Sequence, residues 1–157
     1  MLGLSQPGGW GYALPPVYCV LGVTMKISGW PLVEAEITIK FGATHSLPTI
    51  GVGNVHYHLW TVSAGWKHEI NPHQGCTKPM QEMHKELNEI LITLRDRNLS
   101  MVFDPYPATA ETLACYIMSK LPAYWMFVQV QAYDGYRVRV DANAMRSAWA
   151  EKYRALP

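Results

Sequence analysis

Three histidines have the residue type and the spacing of a metal site. His56 and His58 are separated by one residue, and His45 lies eleven residues before this pair. Side chains two residues apart on a β-strand point to the same face, so the paired imidazoles would project together. A third histidine on a neighbouring strand can reach the same point, and three imidazoles with an open fourth position are typical of catalytic zinc. Three unrelated polar residues on strand surfaces remain the alternative, because a His-x-His pair alone is a weak signal.

Apolar periodicity predicts the elements that would position these residues. Alternation with period two indicates strands, and apolar residues three to four apart indicate helices, the second of which has Thr109 as its N-cap. The predicted elements are strands at 34–43 and 55–65, a turn at 71–75, helices at 79–95 and 109–121, strands at 125–132 and 136–140 joined by Asp134-Gly135, and a helix at 142–156. This order predicts an α+β fold with an antiparallel sheet and two helices on one of its faces.

The chain divides into two parts by composition. Residues 1–33 are rich in glycine, proline and aromatic side chains and are predicted as a loop-rich N-terminal arm, with a short strand near 17–27. Residues 34–157 form the predicted domain, which includes the C-terminal helix and a loop at 46–54. At 157 residues, 49% of them hydrophobic and 16% charged, the chain is long and apolar enough for one domain with a substantial core.

Charge and cysteine content limit the partners and the compartment. The formal net charge is +1 without a basic stripe, so we expect no nucleic-acid partner. No run reaches the roughly 18 apolar residues of a membrane span, and the first residues lack the charged region of a signal peptide. Three cysteines without paired spacing favour a reducing compartment, so we expect a cytoplasmic protein with no membrane partner. The low charge and six tryptophans indicate apolar surface buried between subunits of a homo-oligomer.

Four short motifs follow one another along the chain. They are a strand end at 41–48 of the form Phe-x-Ala-x-His-x-Leu, the His-x-His at 56–58, the turn at 71–75, and a helix start at 108–114 close to Pro-Thr-x-Glu-x-Leu-Ala. In this order they resemble the strand end, the His-Gly-His, the turn after the second strand and the helix start of the 6-pyruvoyl-tetrahydropterin synthase and 6-carboxytetrahydropterin synthase family. The resemblance implies the tunnelling fold, in which the four-stranded sheets of several subunits join into a barrel, commonly a hexamer or a trimer. It also implies a lyase whose active sites lie between subunits, with zinc bound by His45, His56 and His58.

Other family positions differ in this chain. The family has a proton-transferring cysteine shortly before its His-x-His pair, whereas this chain has Val52 and no cysteine in the connection. The family's Leu-Asp-His run matches Leu94 to Asp96, which places Arg95 at the Asp position and Asp96 at the His position. A slip of one residue would return Asp96 to the Asp position and leave Arg97 in place of the His. The resemblance places a glutamate that anchors the pterin ring near 131–133, and none of these three positions is an acid in this chain.

The remaining candidates are residues that could move protons or hold a substrate. The predicted catalytic groups are Asp96, Glu111 and His73, and each also has a plainer interpretation. Glu111 could serve only as a favourable charge at a helix N-terminus, Asp96 as a solvated helix end, and His73 as a turn residue. The predicted substrate-binding residues are Arg95 and Arg97, for a carboxylate or phosphate, and Trp60 and Tyr133, for a flat aromatic ring.

These observations favour a zinc-dependent lyase or cyclase with a non-pterin small-molecule substrate. Without the thiol and the Asp–His pair, proton-transfer steps worth roughly 10²–10⁴-fold each have no assigned residue. One concrete form of the hypothesis is amine–aldehyde condensation with ring closure, of Pictet–Spengler type, in specialised metabolism. A pterin synthase with substituted catalytic residues and a non-catalytic ligand-binding protein are the alternatives. Retention of three histidines favours an enzyme over a scaffold.

Overall fold

One antiparallel sheet organises the molecule, in a computed structural model that describes residues 29–146 and 148–157. Its strands follow chain order across the sheet, so each pairs with its neighbours in sequence. They are β1 (Leu32–Leu47), β2 (Val52–Glu69), β3 (Trp125–Tyr133) and β4 (Tyr136–Asp141). The predicted hairpin around Asp134-Gly135 is confirmed, with Gly135 at a φ of 90° that suits glycine. The predicted strand near 17–27 lies outside the described residues.

The first two strands are longer than their sequence pattern predicts. They pair from Leu32 opposite Glu69 to Leu47 opposite Val52, and this pairing hydrogen-bonds backbone well beyond the alternating apolar stretches. The predicted loop at 46–54 is therefore shorter, because only a single 3₁₀ turn at Pro48–Ile50 and Gly51 separate the strands. As a result, the ends of both strands lie together at one end of the sheet.

Within the described residues, four α-helices accompany the sheet. They are α1 (Met80–Ile92), α2 (Leu99–Val102), α3 (Ala110–Lys120) and α4 (Ala148–Arg154), and a 3₁₀ turn at Ala144–Arg146 precedes the last. Both predicted internal helices are confirmed, and the Thr109 hydroxyl caps α3 by accepting the Thr112 N–H at 3.2 Å. Sequence periodicity does not predict α2, because a single turn is too short to show a period. No helix within the described residues is long and apolar enough to cross a membrane.

The core lies between one face of the sheet and the helices, which confirms the α+β prediction. Alternate residues of the strands are buried on this face, and the apolar sides of α1 and α3 cover them. The fully buried side chains include Phe41, Trp60, Val62, Val128 and Val130 from the sheet and Met83, Leu87, Leu91, Leu113 and Ile117 from the helices. The histidines of β1 and β2 belong to this same face.

Gly65 is the position in β2 where a side chain is expected to be costly. A Cβ there would lie 2.2 Å from the Phe127 ring and 3.1 Å from the Ala35 carbonyl oxygen, and Arg139 lies 3.7 Å from the centroid of that ring. Gly65→Ala should therefore lower the free energy of unfolding by about 1–3 kcal/mol, the usual cost of overpacking. Gly53→Ala is the control in the same strand, because its Cβ would meet nothing within 4 Å. Equal denaturant midpoints for the two variants would contradict this prediction.

Candidate metal centre

The pairing of β1 with β2 brings the three histidines together. His45 lies directly across from His56, and Ala43 lies across from His58, so one register places all three imidazoles on the helix-facing side of the sheet. The ring centroid of His45 lies 4.5 Å from that of His56 and 4.8 Å from that of His58. The centroids of the His-x-His pair are 4.9 Å apart. The predicted convergence of the three residues is therefore present in the fold.

Two of the three imidazoles are oriented by backbone carbonyl oxygens. His45 Nδ1 lies 2.6 Å from the Ala108 oxygen, and His56 Nδ1 lies 2.9 Å from the Asn54 oxygen. A carbonyl oxygen only accepts, so each Nδ1 carries the hydrogen and donates it. In a neutral imidazole this leaves Nε2 with a free lone pair, and metal-binding histidines are commonly oriented in this way.

The environment of His45 fits a metal ligand. Its side chain is 4% exposed, and its Nε2 atom is buried without a hydrogen-bond partner among the described residues. Burial lowers the pKa of His45 and outweighs the opposing effect of the hydrogen bond to Ala108. A neutral ring with an unpaired buried acceptor is costly unless something binds the acceptor. With one ligand atom from each of the three histidines lying within 4.8 Å of the others, the donor set suits zinc.

The start of α3 connects this site to Glu111. Ala108, which orients His45, directly precedes the capping residue Thr109, and Glu111 lies in the first helical turn. Burial of the Glu111 carboxylate opposes ionisation, but hydrogen bonds from the Tyr136 hydroxyl, its own backbone N–H and Thr109 outweigh burial and lower its pKa. An ionised carboxylate is thereby fixed on the element that orients a histidine of the site.

The segment after α1 lies beside the end of β1 that carries His45. Asp96 has a φ of 58°, and its N–H donates to the Gly42 oxygen at 2.8 Å. The Arg97 oxygen accepts the Thr44 N–H at 2.9 Å. The side chains of Arg95, Asp96 and Arg97 are exposed, and the Asp96 carboxylate makes no hydrogen bond to the histidines in the described part of the chain. The backbone is near the site, and a catalytic or binding role for these side chains stays a prediction.

The other predicted site residues occupy three different environments. Trp60 is 1% exposed and lies in the core beside the histidines, and Tyr133 is 60% exposed and stacks on Tyr136, the partner of Glu111. His73 is exposed in the turn after β2, where its N–H donates to the Asn71 side chain at 2.9 Å. That turn follows the end of β2 opposite the histidines, so one chain does not bring His73 to the site.

Sequence reasoning missed the groups that orient the histidines. The Ala108 and Asn54 oxygens are backbone atoms, which no residue type reveals. The motif at 108–114 is an indirect signal for the Ala108 oxygen. The family that it resembles combines this helix start with the histidine-bearing strand end at 41–48. The sequence predicts Tyr136 only as a strand residue, and its contact with Glu111 depends on the packing of β4 against α3.

Solved structures from Caenorhabditis elegans and two Plasmodium species share this fold. The 6-pyruvoyl tetrahydropterin synthase of Caenorhabditis elegans is 22% identical, with a TM-score of 0.66 over 71% of this chain and 96% of that one. The Plasmodium falciparum synthase is 13% identical, with a TM-score of 0.54 over 68% and 96%. The Plasmodium vivax synthase is 14% identical, with a TM-score of 0.55 over 69% and 97%. At these identities the likeness supports the fold.

Family membership comes from the sequence itself. No curated protein matches the chain in a sequence comparison. A family model described as 6-pyruvoyl tetrahydropterin synthase, however, matches residues 34–153, which include both strands of the histidine site and the helix start at Glu111. The chain therefore belongs to the 6-pyruvoyl tetrahydropterin synthase family.

Proposed function

We propose that this protein is a zinc-dependent lyase with a small non-pterin substrate. The observation that carries the metal assignment is the buried Nε2 of His45, which lies beside His56 and His58 and has no hydrogen-bond partner among residues 29–146 and 148–157. When bound, zinc polarises a carbonyl or hydroxyl oxygen of a substrate. The chain itself supplies three imidazole side chains, two of them held by carbonyl oxygens, and a buried sheet face that excludes water from one side.

Glu111 is the proposed proton-holding group. Its lowered pKa leaves the carboxylate ionised near neutral pH, and the Tyr136 hydroxyl fixes its position. An ionised carboxylate has the protonation state of a general base, and its lowered pKa makes it a weak one, so position rather than basicity supports this role. Asp96 and His73 remain further proposed acid–base groups, with His73 contributed by a second copy of the chain. The exposed guanidinium groups of Arg95 and Arg97 are the proposed contacts for a carboxylate or phosphate.

The proposal of a non-pterin substrate rests on missing proton-transfer groups. The two described cysteines lie outside the β1–β2 connection, Cys76 in the turn after β2 and Cys115 in α3. Burial, with a smaller contribution from Glu111, raises the pKa of the Cys115 thiol. A raised thiol pKa leaves little thiolate at neutral pH, so Cys115 is a poor substitute for the family's reactive cysteine. Amine–aldehyde condensation with ring closure is a concrete alternative reaction that needs no thiolate.

A synthase that retains the pterin reaction with substitute residues is the second candidate. Membership of the family and the retained Glu111 in the matched helix start favour it. A non-catalytic ligand-binding protein is the third, and it gives no reason for three converging imidazoles. Each candidate assumes a small-molecule ligand.

Assembly and location are also part of the proposal. The outer edge of β1 has no strand partner within the described residues, and the sheet face away from the helices exposes Val55, Tyr57 and Leu59. An unpaired edge beside exposed apolar side chains favours pairing with a second copy. We therefore propose a homo-oligomer, a trimer or hexamer, located in the cytoplasm.

Substrate turnover by the zinc-loaded protein tests the three candidates together. We expect no product from dihydroneopterin triphosphate and zinc-dependent consumption in a panel of aryl-ethylamines paired with aldehydes, followed by mass spectrometry. Formation of a pterin product would contradict the non-pterin proposal and support the second candidate. A protein that binds zinc and leaves every compound unchanged, including small carbonyl compounds offered alone, would support the non-catalytic candidate.

Glu111→Gln is expected to lower the rate constant for turnover by about 10²–10⁴-fold, because the amide cannot hold the proton. The variant keeps a side chain that can accept the Tyr136 hydrogen bond, so its fold and zinc content should be native. Glu82→Gln is the matched control, since Glu82 also lies in a first helical turn, that of α1. Equal rates for the two variants would leave Glu111 with only a helix-terminal role.

A further inference from the structure

Trp60 is the largest side chain packed against the histidines. It lies two residues after His58 on the same face of β2 and directly across from Phe41 of β1. Its side chain is 1% exposed. Trp60 thus closes the core side of the histidine cluster, where the sheet passes from polar to apolar residues.

The indole contacts two of the three histidines. Its ring centroid lies 5.2 Å from that of His45 at an interplanar angle of 78°, and 5.2 Å from that of His58 at 50°. Edge-to-face and tilted arrangements at this separation are favourable for aromatic rings beyond the burial of area. The contacts therefore restrict the rotation of both imidazoles.

His58 differs from the other two histidines in what orients it. The rings of His45 and His56 are each held by a carbonyl oxygen. The ring of His58 has no hydrogen-bond partner among the described residues, and its neighbours are the other two imidazoles and Trp60. Among the aromatic neighbours of His58 in the described part of the chain, Trp60 is therefore the only one that is not itself a histidine of the cluster.

The indole N–H indicates that Trp60 is more than a space-filling residue. Its Nε1 atom is buried and has no hydrogen-bond acceptor in the described part of the chain. An unpaired buried donor destabilises the fold, and phenylalanine at the same position would avoid that cost. The indole offsets this cost because its larger ring system packs against both His45 and His58.

We propose that Trp60 is a positioning residue of the metal centre, which orients His58 by ring packing as backbone carbonyl oxygens orient the other two ligands. The inference rests on the proposed zinc site and names a further residue that the site requires. Trp60 touches neither metal nor substrate in this role. Its loss acts through the histidines, as with other residues that orient metal ligands.

Zinc affinity of ring-retaining and ring-lacking variants tests this role. Trp60→Met keeps an apolar side chain without a flat ring and is expected to bind zinc about 10–100-fold more weakly, the usual effect of losing a group that orients a ligand. Trp60→Phe keeps a smaller ring and should fall between Trp60→Met and the native protein. Affinities are measured by competition with a chromophoric chelator, with circular dichroism to verify folding.

Trp66→Met is the matched control. Trp66 is also a buried tryptophan on the helix-facing side of β2, but it packs edge-to-face on Trp125 and donates to Thr77, away from the histidines. This variant should lose stability and keep native zinc affinity. A structural effect common to any lost tryptophan would instead weaken zinc binding equally in Trp60→Met and Trp66→Met, and would overturn the inference.

The visible absorption of the cobalt-substituted protein gives a second readout that needs only the conservative variants. We expect the ligand-field bands of Trp60→Phe to shift from the native spectrum, and those of Trp66→Phe to remain native. A native spectrum for Trp60→Phe, or native zinc affinity for folded Trp60→Met, overturns the inference and leaves the zinc site standing. Failure of the native protein to bind either metal overturns the proposed function and this inference with it.

Discussion

His56→Ala/His58→Ala is expected to purify with almost no zinc, whereas the native protein should carry about one zinc per chain. The double variant removes two of the three proposed ligands and leaves His45 alone, held by the Ala108 oxygen. A single imidazole binds zinc too weakly to retain it against water and buffer during purification. Metal content is measured by elemental analysis of protein purified without added chelator.

The control for this experiment is a double variant at two histidines outside the site. His68→Ala/His84→Ala removes two exposed imidazoles, one from the far end of β2 and one from α1. It should retain native zinc content. Added zinc should also stabilise the native protein against heat, by about 2.7 kcal/mol at a hundredfold excess over the dissociation constant, and leave the His56→Ala/His58→Ala variant unaffected. Native zinc content in that variant would contradict the assignment of the ligands.

The sequence predicts the histidine cluster well because local geometry determines most of it. Period-two alternation places His56 and His58 on one face, and the short connection between β1 and β2 brings His45 opposite them. The family resemblance further indicates that His45, His56 and His58 are the three side chains that converge. None of this requires knowledge of the helices, which is why the convergence of the three histidines could be predicted before the fold was known.

Residues distant in sequence set the features that could not be predicted. The Ala108 oxygen lies 63 residues from His45 and reaches it only because α3 packs against the sheet. The contact of Tyr136 with Glu111 spans 25 residues and depends on the position of β4. Periodicity reports which face of an element is apolar, and it carries no information on which backbone oxygen meets which ring.

The sequence distinguishes candidate catalytic residues less clearly than it picks out the three histidines, because catalytic roles depend on contacts between residues distant in sequence. Glu111 and Asp96 are both acids near helix ends, and their sequence contexts do not distinguish them. Both side chains are exposed in the fold, but the Glu111 carboxylate accepts a hydrogen bond from the Tyr136 hydroxyl, whereas no hydrogen bond holds the Asp96 carboxylate within the described residues. A fixed acid next to the element that orients a ligand is the better candidate, since catalysis requires a group held in one geometry.

A carboxylate away from the histidines is expected to contribute strongly to stability. Glu86 of α1 accepts hydrogen bonds from Lys78 at 2.8 Å, from Trp125 Nε1 at 3.1 Å and from the Tyr124 hydroxyl. Trp125 is fully buried, so Glu86→Ala would leave its N–H without an acceptor. We expect the variant to lose about 1.5–3 kcal/mol of unfolding free energy, the range for hydrogen bonds to charged groups.

Glu89→Ala is the control on the same helix. Glu89 lies 3.8 Å from Lys85, and their side chains are 63% and 76% exposed, so this pair should contribute less than about 0.5 kcal/mol. Both variants are measured by urea unfolding at pH 7. A loss for Glu86→Ala no larger than that for Glu89→Ala would mean that solvent replaces the three hydrogen bonds without cost.

The pH dependence of the Glu86→Ala effect distinguishes a charged cluster from simple packing. Burial opposes ionisation of Glu86, but hydrogen bonds from Lys78, Tyr124 and Trp125 outweigh it and lower its pKa below the usual value. A carboxyl group with a lowered folded-state pKa contributes stability that is fully present above its unfolded pKa, about 4.3. This contribution is lost as the pH falls through the folded-state value. The stability gap between the native protein and Glu86→Ala should therefore be constant from pH 7 to about 5 and shrink below about pH 4. A gap that persists unchanged in acid would assign the effect to lost packing of the side chain.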